Sequence, residues 1–210
     1  MSGRYNRCII FTGGDPELRL PDGVTADGAL IIAADSGFTN CTALGLEPAL
    51  VVGDFDSLGY APESAETEIF PKEKDDTDLM LAVRAALGRG CDDITILGAL
   101  GGRFDHMFAN VQTLAFIAER GAVGRIVSER EEITLLTAGE YDFPQREGRS
   151  LSLFAWSPRV EGLTLRGVKY ALENGSITNA FPIGISNEIV GERAFVGFTA
   201  GLLLVVRSSL

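Results

Sequence analysis

The chain has 210 residues, 46% of them hydrophobic and 22% charged, with a formal net charge of −11. That is an ordinary globular composition, sufficient for one large domain or two small ones without staples. The acidity argues against a nucleic-acid backbone as partner, but not against a small phosphate ligand bridged by a divalent ion.

No apolar run reaches the roughly 18 residues of a membrane span. The N-terminal MSGRYNRCIIF has no signal-peptide h-region. Cys8, Cys41 and Cys91 form no CxxC and read as reduced, buried cysteines. A cytoplasmic protein without membrane or nucleic-acid partners is expected.

In chain order, the apolar run Cys8 to Thr12 ends in Gly13-Gly14, and Ala29 to Ala34 ends in Asp35-Ser36-Gly37. Ala49 to Val52 ends in GDFDS, and Ile94 to Leu97 ends in GALGGRFDH. Continuous apolar strands broken by glycine indicate a parallel sheet covered on both faces. Thr77 to Leu87 reads as a helix with Leu79, Met80, Val83 and Leu87 on one stripe. Phe104 to Glu119 reads as a second, carrying Phe108, Val111, Leu114 and Ala115 and closed by Gly121. After about Arg130 the pattern changes to short strand candidates separated by Gly, Pro and Asn, with Trp156 read as core. The expected architecture is a Rossmann-like α/β domain over residues 1–130, followed by a smaller all-β sandwich- or barrel-like domain over 131–210.

Polar residues follow the apolar runs, which puts them at the edge where open parallel sheets bind ligands. Asp54 and Asp56 would point to one side of an extended chain, about 7 Å apart at the backbone. At an effective dielectric of about 20 their repulsion is about 2 kcal/mol, which invites a positive partner. Taken singly, Asp35-Ser36-Gly37 reads as a turn and Asp75 to Asp78 as helix capping. His106, the only histidine, reads alone as structural or exposed. Taken together, clustered carboxylates suit a hard cation, Mg²⁺ or Mn²⁺, while glycines, Arg103, lysines and a helix N-terminus suit phosphate oxygens. Metal-assisted phosphoryl-type transfer follows; no GxxxxGK[ST] is present.

ADSG (34–37), GDFDS (53–57), KDDTD (74–78), GGRFDH (101–106) and SNE (186–188) stand in an order and spacing that resembles the thiamine pyrophosphokinases, across essentially the whole chain. Ser36 stands where that family commonly has glycine, and Ile185 and Ile189 flank SNE where threonine and phenylalanine are common. The resemblance implies Mg²⁺-dependent transfer of pyrophosphate from ATP to thiamine, giving AMP and thiamine diphosphate. It implies a homodimer, with thiamine between the α/β domain of one subunit and the β domain of the other. Asp54, Asp56 and Asp78 would hold the metal, with Asp35 nearby. Thr77 and Lys74 would serve the phosphates, and Arg103 would neutralise the transferred group or the leaving AMP. Asp105 would either orient Arg103 or accept the thiamine proton, with His106 behind it. Ser186, Asn187 and Tyr170 would line the thiamine pocket from the partner subunit. The competing expectations are a metal-dependent phosphohydrolase and a non-catalytic nucleotide- or thiamine-binding module.

Overall fold

The apolar runs become the central strands. The computed structural model describes residues 5–54, 65–71 and 75–210. They fall into two units, Met1–Glu129 and Arg130–Leu210.

Among its described residues the first unit has six strands: β1 (Arg7–Phe11), β2 (Leu30–Ala34), β3 (Leu50–Gly53), β4 (Glu66–Ile69), β5 (Asp93–Leu97) and β6 (Val123–Val127). They lie in the order β6-β5-β1-β2-β3-β4, and every adjacent pair is parallel. Burial on both faces explains why β1, β2, β3 and β5 carry Ile, Val and Leu without alternation. Among the described residues three helices cover the sheet: α1 (Gly37–Ala43), α2 (Asp78–Gly88) and α3 (Phe104–Ala118). Cys41 of α1 packs with Ile9, Phe11, Leu97 and Val127. Against β1, β2 and β3, α2 buries Leu79, Ala82, Val83 and Ala86.

The stripe expected on α3 is displaced. The buried residues are Thr113, Leu114, Ile117 and Ala118, whereas Phe104 and Phe108 are exposed and pack on each other. The helix starts past the end of β5, and its contacts with β6 come from later turns such as Leu114 and Ile117, which face Gly124.

The second unit contains β7 (Glu131–Leu136), β8 (Gly139–Pro144), β9 (Ser150–Ala155), β10 (Arg159–Arg166), β11 (Leu172–Thr178), β12 (Asn187–Glu188), β13 (Arg193–Phe198) and β14 (Leu203–Ser208). Strands β12-β9-β14-β7 form one antiparallel run and β11-β10-β13-β8 another. Leu151, Leu153, Leu203 and Val205 from the first meet Val160, Leu165, Val196 and Phe198 from the second in one core. The unit contains no helix. Trp156, read from the sequence as core, is only half-buried, because it lies one residue beyond the end of β9.

Leu153 is 1% exposed at the centre of this core. Leu153→Ala is expected to destabilise the protein by about 3 kcal/mol through lost burial and the cavity left behind. Urea unfolding followed by circular dichroism checks this; a loss below about 1 kcal/mol would contradict the packing described.

Candidate active site

Strand order reverses at β1: β2, β3 and β4 lie on one side of it and β5 and β6 on the other. Such a switch point opens a crevice beyond the carboxyl ends of the strands. Here the two loops that leave β1 and β5 are sewn together. Backbone N–H groups of Thr12, Gly14 and Asp15 donate to the carbonyls of Leu97, Gly98 and Leu100 at 2.9, 2.7 and 2.9 Å. The Thr12 hydroxyl donates to Gly98 O at 2.5 Å. From α1, Asn40 Nδ2 donates to Thr12 O and Gly14 O at 2.8 and 3.3 Å. The seam requires glycine: Gly98 has φ +69°, and a Cβ there would lie 2.5 Å from Thr12 O. A Cβ on Gly101 would lie 2.1 Å from the Asp15 carboxyl carbon.

The carboxylates stand along the same edge. Asp35 caps β2 in the left-handed region, φ 46°, which Asp tolerates better than most residues. Its N–H donates to Val52 O at 2.8 Å, fixing it beside the end of β3, where Asp54 follows Gly53. Asp35 Oδ1 is buried and has no hydrogen-bond partner among the described residues. Asp56 and Lys74 lie outside the described residues. Among the described residues no three His, Cys, Asp or Glu side chains converge as a metal site.

Both neighbouring helices begin at this edge. Thr77 is the N-cap of α2, its hydroxyl accepting from Met80 N at 3.2 Å, and Asp78 sits in the first turn. Asp76 is held by Arg84, Nε to Oδ2 at 2.9 Å. Arg103 is the N-cap residue of α3. Its guanidinium grips Asp105 with two hydrogen bonds, Nη2 to Oδ2 at 2.5 Å and Nε to Oδ1 at 3.1 Å. His106 N also donates to Asp105 Oδ1, at 3.0 Å. The hydrogen bonds from Arg103 hold the Asp105 carboxyl below its ordinary value and push the guanidinium up. The base behind the helix start is braced by Asn110 Nδ2 donating to Ala99 O at 2.8 Å. In this arrangement Asp105 is a weak proton acceptor and a good partner for Arg103.

A second cluster lies in the second unit. Asn187 is 4% exposed; its Oδ1 accepts from Tyr170 N and Glu188 N, both at 3.0 Å, and its Nδ2 donates to Tyr170 O at 2.9 Å. Ser186 has φ 57°, and its N–H donates to the hydroxyl of buried Ser152 at 3.0 Å. Tyr170 itself is 63% exposed.

The first unit thus brings Asp35, Asp54, Thr77, Asp78, Arg103, Asp105 and His106 to one sheet edge; the second brings Ser186, Asn187 and Tyr170 together. Sequence reasoning missed Thr12, Asp15, Asn40 and Ser152. Gly13-Gly14 after an apolar run was the available signal for the first two; nothing local marked the others.

An open, helix-covered parallel sheet with glycines, carboxylates and an arginine at the carboxyl ends of its strands, together with an antiparallel β unit, makes a two-part α/β protein. Residues 24–123 match the family described as "Thiamin pyrophosphokinase, catalytic domain", and residues 140–203 match "Thiamin pyrophosphokinase, vitamin B1 binding domain". The chain is 33% identical to thiamine pyrophosphokinase of Bacillus subtilis over 97% of its own length and 99% of that protein. The crystal structure of the Bacillus subtilis enzyme superposes with a TM-score of 0.88, again covering 97% of this chain and 99% of that one. A thiamin pyrophosphokinase family protein from Enterococcus faecalis, 33% identical, gives a TM-score of 0.85, with 97% of this chain and 99% of that one covered. The chain belongs to the thiamine pyrophosphokinase family.

The Arg103–Asp105 pair makes a pH prediction. Because the folded carboxyl lies below its ordinary value, the pair is intact above the usual carboxylate range and is lost only as pH falls through the depressed value. Carboxyl-detected NMR is therefore expected to show Asp105 ionised throughout about pH 5–9 and titrating below the usual value of about 3.9. Arg103→Ala is expected to move that titration back up; an unmoved midpoint would contradict the pairing.

Proposed function

We propose that this chain is a thiamine diphosphokinase that transfers pyrophosphate from ATP to thiamine, giving AMP and thiamine diphosphate. The observation that carries the reading is that both parts of the chain match the catalytic and vitamin B1-binding domains of one family. A hydrolase would not need the second match, and a module that only binds thiamine would not need the first.

The acceptor is the thiamine hydroxyl. Its oxygen bonds to the β phosphorus of ATP as the bond to the α,β-bridging oxygen breaks, AMP leaves, and the hydroxyl proton is lost. Such transfers rest on positioning and charge stabilisation. The switch-point crevice suits the nucleotide, with Thr12 to Asp15 and Gly98 to Gly102 offering close backbone approach to phosphates. Thr77, and the α2 N-terminus it caps, face the same edge, and Lys74 of the same motif adds a positive charge. Arg103, oriented by Asp105, neutralises charge on the migrating group or leaving AMP, and His106 supports that pair from the next position.

Mg²⁺ or Mn²⁺ fits the donor set, since hard cations take carboxylate oxygens and Asp35 presents a buried oxygen without a hydrogen-bond partner among the described residues. Asp54, Asp56 and Asp78 would hold the ion, with Asp35 adjoining. When bound, it neutralises polyphosphate charge and polarises the transferred group.

Ser186, Asn187 and Tyr170 build the thiamine side of the site and serve it from the partner subunit of a homodimer. Support comes from the exposed apolar side chains of Tyr170, Phe181, Ile183, Ile185 and Val190 in that unit, a surface of the kind that association buries. No helix of the described residues is long and apolar enough to cross a membrane; a cytoplasmic location is part of this reading.

Incubating the purified chain with thiamine, ATP and Mg²⁺ is expected to yield thiamine diphosphate and AMP in equal amounts, with neither formed when thiamine or metal is omitted. ADP would indicate a simple kinase, and thiamine-independent phosphate a hydrolase; either would overturn the proposal. Asp54→Asn is expected to lower kcat at least about 100-fold, the scale of losing a charge-stabilising contact. Wild-type turnover by that variant would remove Asp54 from the metal set.

A further inference from the structure

We infer that Asn187 is a positioning residue for Tyr170 and acts on thiamine through that ring, not by touching the substrate itself. The inference rests on the reading above, in which this cluster receives thiamine. An exposed Asn in a binding pocket would turn its amide outward. Asn187 does the opposite. It is 4% exposed, and its side-chain oxygen takes both the Tyr170 and the Glu188 N–H while its nitrogen donates to Tyr170 O. The amide therefore pairs with both backbone polar groups of Tyr170, as a neighbouring strand would.

The surrounding contacts tie the same two segments together. Lys169 N donates to Glu188 O at 2.9 Å and Val190 N to Gly167 O at 2.9 Å. Val168 bridges Ile189, and Lys169 Nζ meets Glu188 Oε1 at 2.9 Å. The segment 167–170 is thus zipped to 187–190, with Asn187 closing its last residue. Beyond that clasp stands the Tyr170 ring, 63% exposed yet carried on a fixed backbone. An aromatic side chain has few torsions to freeze, so a fixed Cα gives a stacking platform at low entropic cost. A flat, cationic heteroaromatic acceptor is the ligand that such a platform suits.

The test is a double-mutant cycle read as thiamine KM and kcat separately, at saturating ATP and Mg²⁺. A stacking contact of about 1.4 kcal/mol corresponds to about tenfold in affinity. Tyr170→Ala is expected to raise thiamine KM about tenfold, and Asn187→Ala to raise it by a similar factor. Both should change kcat less than about twofold and leave the KM for ATP unmoved. The double variant is expected to be no worse than Tyr170→Ala, because the two residues act as one. Asn187→Asp keeps the acceptor oxygen but loses the donation to Tyr170 O. It is expected to give a smaller rise that also vanishes in the Tyr170→Ala background, which keeps the test usable if the alanine variant does not fold. Multiplicative effects, about a hundredfold in the double variant, would mean that Asn187 contacts thiamine directly and would overturn the inference. So would an unchanged thiamine KM in Asn187→Ala or in Tyr170→Ala. A wild-type chain that makes no thiamine diphosphate would overturn the functional reading and this inference with it, an outcome distinct from multiplicativity.

Discussion

The site depends on the seam between the loops that leave β1 and β5. Three backbone hydrogen bonds and the Thr12 hydroxyl join segments about 85 residues apart, and they do so where strand order reverses. The connections leaving adjacent strands part at a switch point, so without the seam the two loops would be free to splay. With it, Asp15 is brought against Gly101, and the approach to α3 is set before Arg103 is reached. Asn40 extends the same constraint to α1, whose start abuts Phe11 so closely that a Cβ on Gly37 would lie 2.1 Å from Phe11 O.

Charge at this edge is distributed by backbone geometry. Adjacent parallel strands end in register, so Asp35 and Asp54 become neighbours although 19 positions separate them in the sequence. Helices that follow parallel strands start at the same edge, which adds Asp78 and Arg103. Among the described residues, Arg103 with Asp105 and Arg84 with Asp76 are self-compensated pairs, whereas Asp35 Oδ1 is a buried acceptor without a hydrogen-bond partner.

The sequence disclosed what local patterns encode. Buried strands such as β1, β2 and β5 read as apolar runs because both faces are covered, and α2 announces itself through its stripe and its Thr77 cap. The polar edge strand β4 and the largely exposed β11 were invisible, since neither alternates cleanly. The seven-residue α1 was also missed; it begins on a glycine and has no side-chain cap. At the site, motifs pointed to candidate residues but not to what their atoms touch. Asn187 stands in a recognisable SNE triplet, yet nothing local indicates that its amide faces a backbone 17 residues away. Asp105 was legible as part of GGRFDH, but nothing local indicates that Arg103 grips it with two hydrogen bonds.

The buried Asp35 oxygen, which has no hydrogen-bond partner among the described residues, has a thermodynamic consequence. A buried polar atom without a partner raises the free energy of the folded state, and the left-handed backbone beneath it leaves little freedom to turn away. Whatever satisfies that atom binds the native chain and not the unfolded one, and so stabilises the fold in proportion to the logarithm of its concentration. Folding and occupancy are thereby linked: the same atom that would engage a ligand also makes the lifetime of the protein responsive to that ligand's supply.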